Sequence, residues 1–92
     1  MIKSFRCSET KALYEGHRVA RFTSFKAVAE RKLQMLDSAN TLAFLQSPPG
    51  NRLEALKGDR AGQHSIRIND KWRICFVWNE DGPWNVEIVD YH

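Results

Sequence analysis

Cysteine is scarce in this chain, and long apolar runs are missing altogether. Two cysteines among 92 residues, Cys7 and Cys75, are too few for a disulfide framework and too far apart for a local metal motif. Each sits beside apolar positions, so burial as a small hydrophobe is expected. No Cys/His spacing matches a zinc site, and any chemistry is expected to proceed without a metal or other cofactor. No stretch nears the roughly 20 apolar residues that cross a bilayer. The opening Met1-Ile-Lys-Ser-Phe5 has no signal-peptide apolar core behind it, so a cytoplasmic location without membrane contact is expected. Basic residues are absent from one region: 79–92 carries four acids and no Lys or Arg. By contrast, 52–73 holds six basic residues against three acids. Such a segment can attract phosphate backbones, although charge alone equally describes a solvated face.

What is present suits one small domain spanning 1–92. A 42% apolar and 27% charged composition is ordinary for a globular protein. A chain of this length buries roughly 60–65% of its unfolded surface, enough for a single core. Ile2 to Arg6 reads as a short first strand. Ser8 is placed to cap a helix from about Glu9 to Glu15, which Gly16 would end. His17 to Thr23 reads as a polar, basic connector.

Phe25, Val28, Ala29, Leu36 and Ala39 recur at helical spacing, with Leu33 and Met35 widening the stripe, so the spacing predicts a helix from Ser24 to Ala39. Leu42 to Leu45 adds a turn before Ser47-Pro48-Pro49-Gly50 breaks the pattern. Leu53 and Leu56 bracket a short extended piece, followed by a two-glycine loop around Lys57. His64 to Asn69 alternates, with Ile66 and Ile68 inward, and Asn69-Asp70 makes a turn. Trp72, Ile74, Phe76 and Trp78 alternate as a strand, and Trp84 to Val89 forms the last one. Helices first and hairpin-linked strands afterwards predict an α+β fold, an antiparallel sheet with the N-terminal helices on one face. Period two puts Arg73 on the other face, expected to be open. Arg73, the Lys57 loop and the chain end would share that surface.

The ending Asp90-Tyr91-His92 brings an acid, a phenol and an imidazole against an apolar strand, three groups able to move protons near neutral pH. The run Leu53-Glu-Ala-Leu-Lys-Gly-Asp-Arg60, the run Ser65-Ile-Arg-Ile-Asn-Asp-Lys-Trp-Arg-Ile74 and this ending, in that order, resemble the HigB-type toxins of the RelE superfamily. Ile2-Lys-Ser-Phe5 and Ala29-Glu-Arg-Lys-Leu-Gln-Met-Leu-Asp37 also fit, so the likeness covers essentially the whole chain. It implies a RelE-like fold and a ribosome-dependent endoribonuclease that cleaves mRNA. It also implies a HigA-like helix-turn-helix antitoxin, through which alone operator DNA would be met. Carried over residue by residue, the catalytic positions fall on Lys57, Arg73, Asp90, Tyr91 and His92. Arg60, Lys71 and Glu54 are further candidates for contact with RNA.

Chemistry makes that set reasonable on its own. Attack by a ribose 2′-hydroxyl needs a base, an acid for the leaving 5′-oxygen, and positive charge on the phosphoryl oxygens. Arg73 offers a planar fork for two oxygens, and Lys57 a point charge. His92 is the natural acid or base; Asp90 orients it or takes the proton itself, and Tyr91 positions the phosphate or stacks on a base. Some relatives carry His where this chain has Glu54, so slower cleavage is expected here. Plainer readings stand beside these: Arg73 as an ion-pair partner of Glu87, Lys57 and Arg60 as solvated charges, His64 as an ordinary strand residue, the tryptophans as core. The alternative function is a non-catalytic basic module that binds ribosomes or RNA, or acts only with its antitoxin.

Overall fold

Ala29, Leu33 and Leu36 recur at helical spacing, and they are the residues that helix α2, Lys26–Ser38, buries completely. A computed structural model describes residues 1–90; Tyr91 and His92 lie outside the described residues. Helix α1 is Ser8–Tyr14, and the strands are β1 Glu54–Ala55, β2 His64–Arg67, β3 Trp72–Asn79 and β4 Gly82–Asp90. They form one antiparallel sheet in the order β1-β2-β3-β4. Ile66, Ile74, Phe76, Val86 and Ile88 point from the sheet into a single cluster with Leu13 of α1 and the α2 stripe. The expected α+β arrangement, helices on one face of the sheet, is therefore what the chain builds.

Alternation explains the strands. On β3, Trp72, Ile74, Phe76 and Trp78 share the core side, and cross-strand partners Ile66, Ile74 and Ile88 stack in register across three strands. The turn before β3 uses side-chain chemistry: Asn69 Oδ1 accepts from the backbone amides of Lys71 and Trp72, both at 2.9 Å.

Three expectations need correction. Ile2 to Arg6 forms no full strand: Phe5 alone bridges Val86, in parallel sense. The segment lies along β4 through Lys3 N to Pro83 O, Arg6 N to Val86 O and Val86 N to Ser4 O. Pro83 has no amide to donate and Asn85 sits at φ +55, so β4 cannot offer a regular edge there. The fit is nonetheless tight, since a Cβ on Gly82 (φ +128) would lie 2.8 Å from the Met1 carbonyl oxygen.

Ser8 does not cap α1; Cys7 holds the cap position without a side-chain bond, and Ser8 is already helical. The supposed polar connector is structural. Ala20–Phe25 winds into a 3-10 helix that buries Phe22 and Phe25. Phe22 meets Trp72 edge-on at 5.8 Å, and Arg21 lies over both rings. These aromatics fasten the start of β3 to the helical layer.

Candidate active site

Arg73 lies on the sheet face turned away from the helices, as period two requires, but that face is not open around it. Its residue exposure is 7%. The segment before and within β1 folds over it, and the guanidinium is held from several sides. Nε donates to Ser65 Oγ at 2.7 Å, and Nη2 donates to the Arg52 carbonyl at 2.6 Å. Nη2 also stands 3.0 Å from Glu54 Oε1. Glu54 is the cross-strand partner of Ser65, so β1 and β2 together frame the group.

Arg52 reaches this place through an unusual turn. Its φ of +45 is left-handed backbone, and it directly follows the wholly buried Asn51. Asn51 Nδ2 donates to the Leu45 carbonyl at 3.2 Å and contacts Met35 Sδ at 3.0 Å, while Lys32 of α2 donates to its side-chain oxygen. A buried amide thus fixes the turn that aims a carbonyl at Arg73. Nothing in the sequence signalled this beyond a Pro-Pro-Gly-Asn turn. Ser65 stood within a recognised run, with no role attached to it.

The other sequence candidates are distributed unevenly. Glu87 pairs with Arg60 at 2.9 Å and, more loosely, with Arg6 at 3.9 Å. The expected alternative partner of Arg73 is therefore corrected: its carboxylate is Glu54. Arg60 also donates to Gln63, so its charge is engaged on the protein. Lys57 is exposed, at the start of the 3-10 turn Gly58–Arg60. Lys71 Nζ lies 3.9 Å from Asp90. Register pairs Asp90 with Trp72 and Val89 with Arg73. Asp90 is thus one residue out of phase with Arg73 and belongs to the other face by alternation, contrary to the shared open surface expected. Tyr91 and His92, the rest of the expected proton-handling set, lie outside the described residues.

Cys75 is a fully buried neighbour of this site. Burial pushes its thiol pKa up; Arg60 pulls it down, Glu87 raises it, and Arg73 lowers it. A thiol that is both enclosed and protonated reacts slowly. Native protein treated with Ellman's reagent at pH 8 is expected to lose Cys7, which is partly exposed, while Cys75 reacts only on unfolding. Two equally fast thiols would refute the enclosure of this face.

Comparison with known proteins follows the same outline. The profile of HigB-like toxins, described as RelE-like toxins of type II toxin–antitoxin systems, matches residues 3–92. Toxin HigB-1 of Vibrio cholerae is 36% identical over 80 residues, covering 85% of this chain and 84% of its own. Endoribonuclease HigB of Proteus vulgaris is 32% identical over an alignment of 94 positions that covers both chains fully.

Proposed function

The chain belongs to the HigB-like family of RelE-like toxins from type II toxin–antitoxin systems, and on that premise we propose that it is an endoribonuclease that cleaves mRNA on the ribosome. A type II toxin has an antitoxin partner. Here we take it to be a HigA-like helix-turn-helix protein that also supplies the only contact with operator DNA. Within the family the chain resembles the GraT member in particular. The whole of 1–92 acts as one toxin domain.

The observation that carries the reading is the held guanidinium of Arg73. Ser65 and the Arg52 carbonyl fix its plane before any ligand arrives, so little ordering remains when a phosphate binds. Charge aimed in advance at developing phosphoryl charge is typically the largest catalytic contribution. Lys57, exposed on its turn, adds a second cation. His92 transfers protons at neutral pH, and Asp90, out of phase with Arg73, serves to orient it. Tyr91 positions the substrate. The ribose 2′-hydroxyl attacks the adjacent phosphorus and the 5′-oxygen leaves with a proton. Induced expression is expected to arrest growth, and His92→Gln to relieve the arrest and the mRNA cleavage together. Arrest that survives with cleavage intact would remove His92 from the site.

Glu54 sets the anion affinity of this site. Its half-exposed carboxylate stands 3.0 Å from Arg73 Nη2, where an incoming phosphate meets a like charge. Two such charges about 4 Å apart repel by about 1 kcal/mol in water and up to about 4 in a less polar setting. Glu54→His is therefore expected to speed single-turnover cleavage on ribosomes several-fold. An equal or slower rate would contradict this.

A further inference from the structure

An irregularity in β4 decides which way one of the three tryptophans faces. Trp72 and Trp78 on β3 pack against the core. Along β4, Glu87 lies opposite Cys75, but the register then slips and Trp84 lies opposite Val77. Regular pairing would have set Asn85 there, so β4 carries one extra residue, a β-bulge. Asn85, at φ +55, is its left-handed residue. Ser4 holds it in place: its Oγ accepts from the Asn85 amide at 2.8 Å and its carbonyl from the Val86 amide at 3.0 Å. Without the extra residue, alternation from Glu87 would send Trp84 to the helix side. With it, Trp84 joins Val77, and so Arg73 and Cys75, on the other face. The core reading therefore holds for two tryptophans and is corrected for the third.

The Trp84 ring is ordered and within reach of solvent. It is partly exposed, as is Val77 beside it, and its Nε1 donates to Asp81 Oδ1 at 2.8 Å. That bond satisfies the one polar atom of the indole, so a ligand meets a ring already held in place. Glu80 and Asp81, exposed at the same turn, repel a phosphate. A nucleobase is neutral and stacks through its π-face. Four residues of β3 separate Val77 from Arg73, roughly 13 Å at about 3.3 Å each. Between them Arg60 pairs with Glu87, opposite Cys75. An RNA strand stacked at about 3.4 Å per nucleotide covers that span with about four nucleotides, and a splayed one with fewer.

We propose that Trp84 is a stacking platform for one unpaired base of the message, a few nucleotides from the scissile phosphate. The inference rests on the endoribonuclease reading, which supplies the single strand held at Arg73. Every base offers a π-face, so the stack adds affinity without choosing a sequence.

The test compares wild type, Trp84→Leu and Trp84→Phe in single-turnover cleavage on programmed ribosomes. The message is either intact or carries one abasic site, stepped along about four nucleotides on each side of the cut. Leucine keeps apolar bulk without an aromatic face, and phenylalanine keeps the face. On the intact message Trp84→Leu is expected to raise the half-saturating toxin concentration about 5- to 150-fold, the loss typical of one base–aromatic stack, and Trp84→Phe to recover most of it. An abasic site at the stacked position is expected to weaken wild type and to abolish its advantage over Trp84→Leu. A variant that merely folds less well carries the same penalty on every message. That result, or no penalty at all, overturns the proposal, while wild-type cleavage of the intact message leaves the endoribonuclease reading standing. No cleavage by wild type overturns both.

Discussion

Arg73→Ala is expected to slow single-turnover cleavage of ribosome-bound mRNA by about 10²–10³-fold, the loss typical when one prearranged charge-stabilising group is removed. The same change is expected to destabilise the fold. Ser65, wholly buried, would keep a hydroxyl without its guanidinium donor, and the Arg52 carbonyl would lose a 2.6 Å bond. Each such orphaned group costs about 1–3 kcal/mol. Arg73→Lys separates the two effects. A lysine keeps the charge but cannot hold Ser65, Arg52 and a phosphate at once, so most of the rate loss should persist with a smaller stability loss. Stopped-flow cleavage and thermal melting of both variants measure this. Wild-type rates in Arg73→Lys would show that only charge matters, and in Arg73→Ala that the residue is structural.

Phe22→Ala is expected to cost about 3–5 kcal/mol, the range for emptying a buried aromatic site. Phe22 is fully buried and touches both Phe25 and Trp72, and such ring pairs add about 0.5–1.5 kcal/mol beyond area. Domains of this size hold only about 5–15 kcal/mol in total. The midpoint of thermal unfolding should therefore fall on the order of 15–30 °C. Because Trp72 begins the strand that carries Arg73, activity at growth temperature should fall with it. A loss under about 1 kcal/mol in urea titration would mean that Ala20–Phe25 is not part of the core.

That residue also marks where sequence reading stopped. Val19 and Phe22 are buried from a segment whose Arg18, Arg21 and Thr23 made it look solvated. Apolar residues three apart in a 3-10 turn give no extended stripe, so neither helical nor strand periodicity reveals them. The α2 stripe and the alternation of β3 were legible because each repeats over several periods. Period two assigned Arg73 to its face correctly. It cannot say what covers a face, and here the cover comes from the Asn51–Glu54 segment, shaped by a buried amide and a left-handed residue. Likewise the motif runs named Glu54 and Ser65, while only the β1–β2 register brought both to one guanidinium. The same register moved Asp90 out of phase with Arg73, which consecutive numbering with Tyr91 and His92 concealed.

The central claim is cleavage by the substrate's own 2′-hydroxyl, assisted by Arg73 and the chain end. The most direct measurement is the chemistry of the new RNA ends on programmed ribosomes, with a parallel mRNA carrying one 2′-deoxy sugar at the cut site. A 2′,3′-cyclic or 3′-phosphate opposite a 5′-hydroxyl, with no cut in the deoxy message, is the expected result. A 5′-phosphate opposite a 3′-hydroxyl, or equal cleavage of the deoxy message, would contradict it.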